Sequence, residues 1–239
     1  MGARANKFAW VRPLQNHAPF NSEMSLSMTR LILIRHGASL HMQRSIITGA
    51  SNCPGLSDKG FQQAELLAQR LRAMPELTGG QTLLSSPVLR AYQTAEVLAH
   101  RLAINLIVDD PDLMEVDPGE AEGLTNDAYR AQYGEFDLPT NPTRPFAPGG
   151  ENWLQFTTRV HSALHRLAET YADQTVLVVT HAGFIVASLL VLFDVPRSGA
   201  GHVARFELDN TSLTEWHISD GVWTLAKYND TTHLASERP

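Results

Sequence analysis

The chain is 239 residues long, with 43% hydrophobic and 18% charged residues, the balance of a globular enzyme with a sizeable core. Its formal net charge of −6 argues against nucleic acid or an anionic membrane as the main partner, so any cation that matters must be held locally in a site. A single cysteine, Cys53, leaves no intramolecular disulfide, fits a reducing cytoplasm and reads as an incidental loop thiol.

Residues 1–27 are compositionally mixed and lack the continuous apolar run and cleavage site of a secretory signal; they are expected to form an N-terminal arm. Residues 28–239 read as one domain. Leu31-Ile32-Leu33-Ile34, stopped by a glycine-containing turn, predicts a buried parallel strand. Arg35-His36-Gly37 follows directly, at the carboxyl end of that strand, where open α/β sheets place their ligands.

Ser57 is placed to cap a helix carrying Phe61, Ala64, Leu67, Ala68 and Leu71 at the helical period. A second strand, Thr82-Leu83-Leu84, leads into Ser85-Ser86-Pro87 and a helix to Leu102, with Ser86 as N-cap and Pro87 at the first helical position. Arg90 then falls in the first turns. From Asp109 to Gly150 the chain is acidic, with four prolines between Pro139 and Pro148; a cap over the sheet edge is expected, with one short helix around Thr125–Tyr133.

Leu154, Val160, Leu164, Leu167 and Tyr171 give a long amphipathic helix, and Val176-Leu177-Val178-Val179 a third strand ending in Thr180-His181-Ala182-Gly183. The apolar run Phe184–Phe193 is about ten residues, too short to span a bilayer. Val203–Leu208, Ser212–Ile218 and Val222–Tyr228 are separated by Asp209-Asn210 and Asp220-Gly221, which is turn chemistry for antiparallel hairpins. The fold expected is α/β: a three-layer sandwich whose mostly parallel sheet has helices on both faces, with an antiparallel hairpin region near the C-terminus. An exposed edge among the last three strands would support a homodimer.

Arg35, His36, Arg90 and His181 all fall near one edge of that sheet. Two guanidiniums and two imidazoles suit a phosphate, because arginine offers paired charged donors and a neutral, oriented imidazole attacks phosphorus. Glu115 is the candidate proton donor for the departing alkoxide, with Asp117 and Glu120 as alternatives. His161 and His165 have an i, i+4 spacing that binds zinc in some helices, but no third ligand accompanies them, and a solvated face is expected; no metal and no cofactor is implied. Trp153, Trp216 and Trp223 are expected in the core or hairpins, and Asn210-Thr211-Ser212 is read as a turn rather than a glycosylation sequon.

Taken together, Arg35-His36-Gly37, Ser85-Ser86-Pro87 with Arg90-Ala91 and Gln93-Thr94-Ala95, Glu115 with Glu122-Gly123, Pro148-Gly149-Gly150-Glu151 and Thr180-His181-Ala182-Gly183 resemble the histidine phosphatase superfamily, in its phosphoglycerate mutase-like branch, from about Thr29 to Tyr228. The resemblance implies that His36 is a phosphorylated nucleophile, that Arg35, Arg90 and His181 clamp the phosphoryl oxygens, and that Glu115 is acid and then base. It also implies substrate contacts from Thr48 and Gly49 and from the Gly183 backbone. The pattern Arg-His-Gly-x-Ser/Thr-x-x-Asn is met at Ser39 but not at Met42, so either phosphate is held less tightly or another residue, with Asn52 the candidate, supplies the missing amide donor.

A mutase needs further cations for its substrate's second anionic group, whereas Gly123–Pro148 offers only Arg130 and Arg144, well separated. The expectation is therefore a cytoplasmic, metal-independent phosphomonoesterase acting on a small phosphorylated metabolite. The alternatives are a cofactor-dependent phosphoglycerate mutase and a phospho-ligand binding module without turnover.

Overall fold

The computed structural model describes residues 28–41, 45–77, 81–135, 141–195 and 206–237. The expectations for residues 1–27 and for Met42 lie outside them. Among the described residues six strands form one sheet: β1 (Thr29–Arg35), β2 (Thr82–Ser85), β3 (Ile107–Asp109), β4 (Thr175–Thr180), β5 (Leu213–Ser219) and β6 (Val222–Asp230), in the order β3-β2-β4-β1-β5-β6. The pairs β1–β4, β4–β2 and β2–β3 are parallel, and β1–β5 and β5–β6 antiparallel.

The aliphatic run of β1 splits between two cores because side chains alternate across a strand. Leu31 and Leu33 join Val176 and Val178 on one face, where helices α4 (Trp153–Thr170) and α5 (Ala182–Leu192) contribute Val160, Leu164, Phe184 and Ile185. Ile32 and Ile34 join Leu177 and Val179 on the other, under Leu67 and Leu71 of α1 (Asp58–Arg72) and Ala91 and Leu98 of α2 (Leu89–Leu102). A strand buried on both faces must be apolar throughout, which is why four consecutive aliphatics were needed. The result is the expected three-layer sandwich.

Local chemistry sets the helix starts. Ser57 Oγ accepts from Gly60 N–H at 3.2 Å, and Asn152 and Gln155 form a reciprocal capping box at the head of α4. Phe61 and Leu154 lie on the exposed faces of their helices, unlike the other periodic positions. The second helix departs from expectation: it begins at Leu89 with Val88 as an uncapped N-cap, not at Ser86-Pro87. Ser86 is instead committed to the site, its hydroxyl 2.8 Å from His181 Nε2.

Two further differences concern strands. The three-residue β3 was not expected; so short a segment shows no periodicity. Of Val203–Leu208, residues 203–205 lie outside the described chain, and Phe206–Leu208 are irregular and take no place in the sheet. The β5–β6 turn is as expected, with Asp220 and Gly221 both at positive φ (51° and 75°), the twist a two-residue hairpin demands.

Between β3 and α4, the expected short helix is α3 (Asn126–Tyr133), capped by Thr125. It closes a small core of Ala121, Tyr129 and Ala147, with Ile47 and Phe146 packed against it, so the loop after β1 and the cap segment form one unit. Among the described residues no helix is long and apolar enough to cross a membrane.

Candidate active site

Register brings three chain segments to one level. Arg35 pairs with Thr180 and Ser85 with Val179, so His36, Ser86 and His181 leave adjacent parallel strands side by side. The ladder continues one bond beyond the strands, with His36 N–H donating to the Thr180 carbonyl (3.0 Å) and Ser86 N–H to that of Val179 (2.9 Å). Gly37 is required by proximity, because a Cβ there would stand 2.6 Å from the Gly60 carbonyl oxygen.

His36 is 4% exposed. Its Nδ1–H donates to the Gly37 carbonyl at 2.7 Å, which puts the lone pair on Nε2, and Arg90 Nε donates to that Nε2 at 3.0 Å. Burial above all, then the Arg90 and Arg35 charges, hold the imidazole well below its ordinary pKa, so it is neutral at physiological pH. The ring of His181 lies edge-on to it, 5.2 Å between centroids. His181 is fully buried and is likewise held well below its ordinary pKa, by burial first and Arg90 next.

Ser86 Oγ lies 2.8 Å from His181 Nε2 and accepts from Val88 N–H at 3.3 Å. With the Ser86 hydroxyl donating to Nε2, the proton of a neutral His181 stands on Nδ1, a buried atom with no protein partner. Arg35 Nε is a second such atom, while Arg35 Nη1 donates to the Leu208 carbonyl. Two orphaned buried donors beside Arg90 make a site whose unmet need is an anionic acceptor.

Glu115 approaches from the cap segment. Its Oε2 accepts from Gly183 N–H at 2.9 Å, at the positive N-terminal end of α5, and its Oε1 from its neighbour Val116 N–H at 3.1 Å. A cavity of about 200 Å³ beside it is lined by Thr48, Gly49, Arg90, Glu115, Asp117 and Glu122, among others.

A family model described as the histidine phosphatase superfamily (branch 1) matches residues 31–231. The chain belongs to the histidine phosphatase superfamily. It is 35% identical over 213 residues to a Mycobacterium tuberculosis protein described as bifunctional, covering 86% of this chain but 55% of that one, so it spans about half the length of that relative. A putative phosphoserine phosphatase of Hydrogenobacter thermophilus is 30% identical over 86% of this chain and 98% of its own length. Among solved structures, Bacillus stearothermophilus YhfR has a TM-score of 0.72 at 25% identity, over 86% of this chain and 99% of that one. A phosphoserine phosphatase from Entamoeba histolytica in complex with 3-phosphoglyceric acid has a TM-score of 0.71 at 26% identity, over 86% and 99%.

For this member of the superfamily, Arg35, His36, Arg90, His181 and Glu115 converge as the motifs suggested. Thr48 joins them, its Oγ1 accepting from Arg90 Nη1 at 3.3 Å, and Gly49 lines the cavity. Three others are engaged elsewhere. Ser39 is buried with Oγ 2.8 Å from His41 Nδ1. The Asn52 amide, its nitrogen toward Glu122 Oε1 (2.9 Å) and its oxygen toward Gly123 N–H (3.0 Å), pins the loop rather than facing the anion site. The Gly183 N–H is taken by Glu115. Asp117 accepts from Gly119 N–H and is exposed, and Glu120 is exposed as well. Cys53 is less incidental than expected, with Sγ 3.5 Å from Arg90 Nη1.

Several residues were missed. Asn210, read only as a turn, donates from Nδ2 to the His36 carbonyl at 3.0 Å, and Thr94 Oγ1 accepts from Gly37 N–H at 3.1 Å. Arg159 uses all five of its donors: two on Glu151 (2.8 and 2.6 Å) and three on the carbonyls of Asp112, Met114 and Glu115 (2.8, 3.0 and 3.2 Å). Glu151 also accepts from Asp117 N–H at 3.0 Å, so the pair fixes the backbone carrying Glu115 from both sides. The Pro-Gly-Gly-Glu motif was the available signal for Glu151; nothing in the sequence singled out Arg159. Trp153, at the start of α4, is half-buried and packs against the core beside Phe156, and Trp216 is fully buried. His165 packs edge-on against Trp223, so that helix face is not simply solvated. Among the described residues, no group of three or more His, Cys, Asp or Glu side chains is arranged to hold a metal ion.

Proposed function

We propose that this protein is a metal-independent phosphomonoesterase that works through a phosphohistidine on His36. The observation that carries this is the His36 hydrogen bond to Gly37 O, which leaves a neutral Nε2 lone pair facing Arg90. Nε2 forms the bond to phosphorus as the ester P–O bond breaks, and Glu115 gives a proton to the leaving oxygen. Arg35, Arg90 and the His181 Nδ1–H take the phosphoryl oxygens, whose charge they match better as it spreads in the transition state. Glu115, now a carboxylate, takes a proton from water; the water oxygen attacks phosphorus, the N–P bond breaks, and inorganic phosphate leaves with His36 neutral again.

A mutase is the second reading, since some relatives carry that description. It is disfavoured by the cap arginines: Arg130 pairs with Asp127 and Glu135, and Arg144 donates to the Tyr133 and Glu135 carbonyls. Neither is left over for a substrate's second anion. The test is phosphate release from p-nitrophenyl phosphate with and without chelator, beside phosphoglycerate interconversion. Chelator-resistant release that exceeds interconversion supports the phosphatase; faster interconversion supports the mutase, and neither activity would favour a binding module.

A further inference from the structure

A second cavity, of about 340 Å³, opens beside the first and shares Thr48, Glu115, Val116 and Pro118 with it. The shared wall includes the proposed proton donor, so the second cavity begins where a leaving oxygen must lie. Its remaining lining is Ile47, Phe146, Trp153, Phe156 and Gly183. Apart from Thr48 and the Glu115 carboxylate it is aliphatic and aromatic.

The charges are equally one-sided. Among the described residues, Arg90 is the sole Lys or Arg lining either cavity, and it already serves His36; Asp117, Glu122 and Glu115 are the acids. Arg159 has no donor left, as shown above. A carboxylate on the leaving group would be desolvated without a counter-ion among the described residues and would face Glu115. An ammonium in the apolar cavity would pair with the Glu115 carboxylate and so oppose the protonated form that serves the leaving oxygen, and Glu122 Oε1 is already accepting from the Ser51 and Asn52 N–H groups.

We propose that this site is built for phosphomonoesters with an uncharged apolar leaving group, an alkyl chain or an aromatic ring seated between Ile47, Val116, Phe146 and Trp153. The proposal rests on the phosphatase reading and narrows its substrate class away from phosphoglycerates and phosphoserine.

The experiment compares kcat/KM for ethyl, butyl and hexyl phosphate, whose leaving alcohols have nearly the same acidity, so that differences report the cavity and not the chemistry. The value rises about fourfold per methylene, the factor for burying one CH2, until the cavity is full. 2-Naphthyl phosphate exceeds phenyl phosphate, while 3-phosphoglycerate, phosphoserine and phosphoethanolamine fall below butyl phosphate. Phe146→Ser flattens the chain-length dependence; because that slope is a ratio within one preparation, it does not depend on the folded fraction. A flat or falling alkyl series, or a charged ester outpacing butyl phosphate, overturns the proposal while leaving the phosphatase reading intact. Failure to hydrolyse any ester overturns both.

Discussion

Arg90 Nε donates a 3.0 Å hydrogen bond to His36 Nε2, the same nitrogen that would attack phosphorus. One contact both keeps the imidazole unprotonated and aims its lone pair toward the cation that would hold the phosphate. Arg90 can do this because β2 ends level with β1 and α2 starts two residues later than the Ser-Pro pair suggested.

Arg90→Ala is therefore expected to act twice. Removing a cation that lowers the His36 pKa raises it, so the acid limb of the kcat/KM profile, which reports the neutral nucleophile, moves to higher pH. Activity at the optimum falls by about 10²- to 10³-fold, the scale for losing one transition-state donor. The pH–rate profile of the variant measures both effects. An unshifted limb would mean that Arg90 does not set the protonation of His36.

Burial of neutral histidines makes the fold itself acid-sensitive. His36 and His181 have pKa values well below the ordinary 6.5, and His41 and His233 are lowered to about 4. Below pH 6.5 the unfolded chain binds protons that the native state refuses, so stability falls as pH drops through that value and is unaffected above it. Each such group contributes at most about 1.4 kcal/mol per pH unit. Urea unfolding between pH 7.5 and 5.5 tests this, above the range where Glu215, ordinarily at 4.5 and lowered to about 2 in the fold, begins to matter. His181→Asn should reduce the slope by close to one proton; an unchanged slope would show that His181 is not held neutral.

The Arg159–Glu151 pair predicts an effect that depends on the leaving group. Arg159→Lys loses the fork that holds the carbonyls of Asp112, Met114 and Glu115, so Glu115 is less well aimed. Turnover of alkyl phosphates, which need a proton donor, is expected to fall about tenfold or more. Turnover of p-nitrophenyl phosphate, whose leaving group departs as an anion, falls much less. Equal losses on both would point to a general structural defect.

Gly183→Ala isolates the Glu115 carboxylate in another way. A Cβ at that position would stand 2.0 Å from Glu115 Oε1, so the carboxylate must move, while alanine suits the first turn of α5 at least as well as glycine. The expected outcome is a loss of about a hundredfold in kcat for alkyl phosphates, the cost of misplacing a catalytic group by about 1 Å, with an undiminished melting temperature. A fully active variant would separate Glu115 from the chemistry.

How much of this was legible in the sequence follows from how each feature is encoded. Leu31–Ile34, Leu83–Leu84 and Val176–Val179 announce themselves because strands buried on both faces must be continuously apolar. His36, Arg90, Glu115 and His181 were legible because each sits at a fixed offset from such a strand or in a short motif. The strand Ile107–Asp109 was not, since three residues carry no period. Arg159 was hidden because an arginine on an amphipathic helix looks like any solvated cation; only the fold reveals that its fork reaches three carbonyls of a distant loop. Asn210 was hidden in the same way, since its bond to His36 O depends on where the turn before β5 is laid down.

The central claim is that His36 carries the phosphoryl group, and trapping that intermediate tests it most directly. Rapid quench of the enzyme during turnover of a phosphomonoester, followed by peptide mass spectrometry under alkaline conditions, should find an acid-labile phosphate on His36, absent from His36→Ala. That variant should also lose turnover. Phosphate found on another residue, or undiminished turnover by His36→Ala, would contradict the account.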